Sequence, residues 1–162
     1  FNISENILEF RKEYFFVIYP KAISNILLYA EKNNVKIALI KQPIFIDLPL
    51  QRQIQNYSID QLWNMMANKN NFVYKKYSGL TPFWIFSNAL LNKQLDILAS
   101  KHNNFILIDP LDEFLEYSFA YNKEDGVTYN ELFYDYLHLS PKGNALLAEV
   151  IANNISHLFR AY

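Results

Sequence analysis

The chain has no cysteine, which excludes disulfides, thiolate metal centres and a cysteine nucleophile. It has only three glycines, Gly79, Gly126 and Gly143. No apolar run approaches the roughly 18 residues that a membrane-spanning helix needs. Charge of one sign is missing too: 15 basic and 16 acidic residues are scattered along the chain for a net charge of −1. That balance leaves no basic footprint for nucleic acid, and Lys75-Lys76 is too short to make one. Phe1 is followed at once by polar residues, a pattern unlike a secretory leader.

What is abundant points to a packed fold. Of 162 residues, 51% are hydrophobic, with 13 Phe and 12 Tyr, enough to fill a core rather than remain disordered. Residues 3–33 keep helical spacing through Ile7, Phe10, Tyr14 and Val17, and again through Ile23, Ile26, Leu27 and Ala30. Pro20 interrupts that helix and Asn33-Asn34 ends it. The run 35–42 reads as a strand stopped by Pro43, apolar enough to be covered on both faces of a parallel sheet. Residues 48–81 have weak periodicity and read as an insertion with one short helix around 59–68. A helix over 82–100 carries Trp84, Leu91, Leu95 and Leu98 on one stripe, and a second buried strand follows at 105–109, ended by Pro110. A loop over 111–135 leads to the closing helix, which Ser140 caps and Pro141 opens, with Leu147, Val150, Ile151, Ile155 and Leu158 as its buried face.

This alternation predicts an α/β domain with parallel strands and right-handed crossovers. Sites in such folds lie beyond the carboxyl ends of the strands, where the segments 43–47, 109–112 and 135–138 would gather. Two strands alone cannot bury two faces and protect two edges, so the reading expects further strands to pair with 35–42.

The chemistry concentrates at Asp135 and His138. An acid three residues before a histidine on irregular backbone can accept a hydrogen bond from one ring N–H and leave the other nitrogen free as a base. The competing reading is a surface acid and histidine beside a helix cap. Ser140, though near His138, reads as the N-cap and not as a nucleophile. His102 and His157 read as structural. Asp47 and Asp109 read as turn caps or cleft rim. A zinc site is disfavoured because the three histidines lack helical ligand spacing, and no cofactor is implied. Asp109, Asp135 and His138 are kept only as a weak alternative metal set. The aromatics of 56–84 are read as packing or a lid.

The segment DYLHLSPKGN, from Asp135 to Asn144, resembles the last conserved block of the SGNH (GDSL-type) hydrolases. IALIKQP at 37–43 and SNALLNKQLDILASKHNNFILID at 87–109 are similar to that family's penultimate strand and to its last helix and strand. The resemblance implies a flavodoxin-like three-layer α/β/α fold lacking its N-terminal strands, one partial domain over 1–162 with the insertion at 48–81. It implies serine ester hydrolysis on an acyl or acetyl ester, small-molecule or carbohydrate, with catalytic His138 and Asp135 and no metal or cofactor. The sequence contains neither the family's Gly-Asp-Ser nor its Gly-x-Asn-Asp block. The expectation is therefore that this chain alone is inactive and that its partner is the N-terminal half of the same domain. Two alternatives stay open: an inactive relative that binds a ligand or partner, and a metal-assisted hydrolase.

Overall fold

The computed structural model describes residues 5–44, 48–79, 81–102, 105–121, 131–135 and 138–156. It is a mixed α/β structure, mostly helical, with a two-stranded parallel sheet among the described residues. The chain divides into two compact units, Phe1–Ile37 with Tyr57–Ile106, and Ala38–Asn56 with Leu107–Tyr162.

In the first unit, α1 (Glu5–Glu13) runs through a π-helical segment (Tyr14–Ile18) into α2 (Tyr19–Lys32). Pro20 does not break the helix as the sequence suggested. It falls at the start of α2, and one wider turn precedes it, in which Tyr19 N–H donates five residues back to Tyr14 O. Proline has no N–H to return to the preceding turn, and a single π turn accommodates such a residue without ending the helix. Phe15 is buried from this segment and stacks edge-on with Trp63 at 6.5 Å between ring centroids. The stop at the other end is as expected: Asn33 is the C-cap and Asn34 takes a left-handed φ of 53°.

The short helix expected around 59–68 is present, and a second follows it. Ser58 and Gln61 close a capping box that starts α4 (Ile59–Ala67), Asn71 caps α5 (Phe72–Lys76), and α4 lies against α6 (Thr81–Ala99). Leu62, Met66 and Val73 are buried there together with Ile85, Phe86 and Leu90 of α6. On α6 the expected stripe is displaced, because Trp84 is exposed and Leu91 half-buried, while Ser87, Asn88 and Gln94 are buried. The inner face of α6 therefore includes polar residues that a hydrophobic pattern does not select.

The strands are β1 (Ile37–Ile40) and β2 (Phe105–Ile108). Lys41 N–H donates to Ile108 O at 2.9 Å, just past the carboxyl end of β1. Contrary to the expectation of two covered faces, Ile37 and Leu39 are half-buried while Ala38 and Ile40 are exposed, an alternation that leaves one face open.

The second unit adds α3 (Leu48–Gln55), α7 (Leu111–Tyr121) and α8 (Pro141–Ile155). Leu50 and Ile54, one turn apart on α3, are buried. Neither α3 nor α7 follows from the periodicity, which predicts a loop over 111–135. Phe114, Leu132 and Phe133 form a small core, with Tyr117, Leu139, Leu146 and Leu147 packed on it. On α8, Val150 is buried and Leu147, Ile151 and Ile155 are half-buried as the periodicity predicts; Leu158 lies outside the described residues.

Candidate functional site

The site is built on a short stem laid before α8. Phe133 and Leu139 make an antiparallel bridge, Ser140 N–H donates to Leu132 O at 2.9 Å, and Tyr134 N–H donates to His138 O at 2.8 Å. The stem is fixed at its base by Ser140, whose backbone is extended and whose Oγ accepts from Gly143 N–H at 3.1 Å as the N-cap of α8. The same hydroxyl donates to Glu131 O, and the Glu131 carboxylate in turn takes Lys142 Nζ. Lys142 lies over the Tyr117 ring, 5.0 Å from its centroid. Its ammonium is held above the ordinary lysine range, first by the hydrogen bond to Glu131 and then by that to Tyr117.

Asp135 and His138 lie at the other end of that stem. One carboxylate oxygen of Asp135 accepts the His138 backbone N–H at 2.8 Å, and the other meets His138 Nδ1 at 2.7 Å. An ionised carboxylate only accepts hydrogen bonds, so Nδ1 carries the proton and Nε2 presents a lone pair. The imidazole is 76% exposed, so that lone pair is open to a reactant rather than sealed in a core. Chemically the arrangement is an oriented base: it can remove a proton from a hydroxyl and return it to a leaving group.

The remaining sequence-selected residues fall into other roles. Asp109 pairs with Lys41 at 2.8 Å and also accepts Leu111 N–H at 3.2 Å, so it caps the start of α7 beyond the end of β2. Lys41 is only 14% exposed, which makes this the better shielded ion pair beside that of His138. His102 follows α6, and its Nε2 lies 3.3 Å from Ser24 Oγ, a tie between two helices of the first unit. Asp47 and His157 lie outside the described residues. Among the described residues no three His, Asp or Glu side chains converge as metal ligands, so Asp109, Asp135 and His138 are not gathered into one set. No helix among those residues is long and apolar enough to cross a membrane.

Sequence reasoning did not select Lys41, Glu131 or Lys142. Lys41 carried a usable signal, being a lysine at the end of an apolar strand whose parallel partner ends in an acid. Glu131 and Lys142 carried none, since their pairing depends on how the stem folds back onto α8.

The chain matches no protein-family model, no curated protein and no solved structure. Fold and site alone define its class: a helix-rich α/β chain bearing an exposed imidazole oriented by a neighbouring carboxylate.

Proposed function

We propose that this chain supplies the histidine and acid of a serine ester hydrolase of SGNH type, with the serine contributed from outside residues 1–162. The observation that carries the reading is the double hold of Asp135 on His138, through backbone N–H and Nδ1, which leaves Nε2 facing outward. Within the second unit, the hydroxyls of Ser140 and Ser156 are engaged elsewhere: Ser140 caps α8 and Ser156 donates to Asn153 O.

In the proposed reaction, His138 Nε2 removes the proton from the serine hydroxyl as its oxygen attacks the ester carbonyl. The tetrahedral adduct collapses to an acyl-serine, and Nε2 returns the proton to the departing alcohol oxygen. Water then repeats the sequence in reverse and releases the acid. Asp135 keeps the proton on Nδ1 and stabilises the imidazolium formed midway. The substrate is an acyl or acetyl ester of a small alcohol or a carbohydrate. The complete domain is a three-layer α/β/α structure in which further strands extend the sheet of β1 and β2.

The test is hydrolysis of p-nitrophenyl acetate by a longer polypeptide that joins residues 1–162 to the serine-bearing N-terminal half proposed here, compared with residues 1–162 alone. Turnover is expected in the first and none in the second, and His138→Ala removes it by at least ~10³-fold. A longer polypeptide that is inactive, or whose turnover ignores His138→Ala, overturns the reading. Turnover by the 162-residue chain itself overturns the external serine.

A further inference from the structure

We propose that Gly143 is a positioning residue for His138: the absence of a side chain there lets the Leu132 carbonyl seat on the first turn of α8, and this seat fixes the stem that carries the imidazole. The inference rests on the functional reading above only for its kinetic consequence.

Gly143 is buried in the first turn of α8 and has no left-handed φ, so nothing in its backbone conformation calls for glycine. What calls for it is space. A Cβ built at this position would overlap the Leu132 carbonyl oxygen, and it would lie 3.1 Å from Leu139 Cδ2. The obstructing atom belongs to backbone and cannot swing aside as a side-chain tip would. That same carbonyl accepts Ser140 N–H, the first rung of the stem, with the Phe133–Leu139 bridge and the Tyr134–His138 rung beyond it. A displaced Leu132 therefore moves the rung that ends at His138. Its consequence falls on the ring nearby, because the two bonds from Asp135 hold the imidazole only while the stem holds Asp135 and His138 in place.

The test reads the ring directly. Nitrogen-15 NMR of the histidine side chains, at mildly alkaline pH, reports which ring nitrogen of His138 bears the proton. Hydrogen exchange of the Tyr134 amide reports whether the stem is closed. In Gly143→Ala the Nδ1-protonated form is expected to give way to the mixed tautomers of a free imidazole, with Tyr134 exchange faster by on the order of tenfold. Ala145→Gly, an exposed position on the same helix, weakens α8 without touching Leu132 and is expected to leave the tautomer unchanged. Should Gly143→Ala fail to fold, Ser140→Ala replaces it. It removes the hydroxyl that joins Gly143 N–H to Glu131 O, and a smaller change in the same direction is expected.

Wild-type tautomer and exchange in the folded variant overturn the proposal whatever the enzymology shows. In ester hydrolysis by the longer polypeptide, Gly143→Ala lowers kcat with KM little changed. If no form of the protein hydrolyses esters, the functional reading fails while the NMR result still decides the role of Gly143.

Discussion

A carboxylate that accepts two hydrogen bonds from one residue does something that its amide cannot. In Asp135→Asn one position of the side chain becomes an NH₂ donor, and it must face either the backbone N–H or the Nδ1–H of His138, both donors. The backbone N–H cannot change, so the ring yields and protonates on Nε2, the atom proposed as base. Where the chain serves the ester hydrolase proposed above, the expected loss is about 10³–10⁴-fold in kcat on an activated ester, as for a triad whose orienting acid is made neutral. Stability is expected to move by less than ~1 kcal/mol, since both side chains are more than half exposed and an exposed ion pair contributes little. Thermal melting beside kinetics separates the two effects. A variant that melts early and keeps its turnover would place Asp135 among structural residues.

At the scale of elements, the clearest local device is the end of α2. Val35 N–H donates to Ala30 O at 2.8 Å and Asn34 N–H to Glu31 O at 3.1 Å, the paired bonds of a Schellman cap with Asn34 in the left-handed position. A β-branched residue is strained there, so Asn34→Val is expected to destabilise by about 1–2 kcal/mol in denaturant titration, with Asn34→Gly within ~0.5 kcal/mol of wild type. Equal costs for the two would remove the backbone argument. This cap was legible in the sequence because Asn33-Asn34 is a local signal, and so were Ser140-Pro141, β2 and the Asp135–His138 spacing. The elements that escaped the reading did so for identifiable reasons. Asp109-Pro110 followed by Asp112 and Glu113 is a helix start with acids in the first turn, but the same Pro110 also ends β2, and the strand signal masks the helix signal. The helix α3 begins with a proline in its first turn, and its sequence LPLQRQIQ has only Leu48, Leu50 and Ile54 as aliphatic side chains, too few to register as a period. The inner face of α6 includes Ser87, Asn88 and Gln94, so selecting apolar residues placed Trp84 inward when it faces out. The π turn before Pro20 lies beyond any such pattern, because one wider turn shifts the register between the faces of α1 and α2.

For the whole molecule, the clearest pH dependence lies on the alkaline side. Tyr19 and Tyr74, both in the first unit, have phenol pKa values raised above the ordinary 10.0. Burial is the leading cause in each. Nearby Tyr14 adds to the shift at Tyr19, and Arg11 opposes it at Tyr74. Above pH ~10 the unfolded chain releases these protons while the folded chain keeps them, so the unfolded state binds fewer and unfolding free energy falls as pH rises. The contribution is complete below the unfolded value and is lost as pH climbs through the folded one. Lys142, in the second unit, has the same sign starting from its ordinary 10.5: the charged ammonium is favoured in the fold, and that preference disappears at higher pH still. Urea titrations at steps from pH ~8 to ~11 should therefore show a plateau followed by a decline. Tyr19→Phe should flatten the decline, because a phenylalanine releases no proton in either state. Tyr74→Phe should flatten it too, but from a plateau lower by about 1 kcal/mol, since the hydroxyl donates to Met66 O at 2.9 Å. A decline of unchanged slope in the double variant would assign the alkaline sensitivity to other groups and leave burial of these two phenols without a measurable consequence.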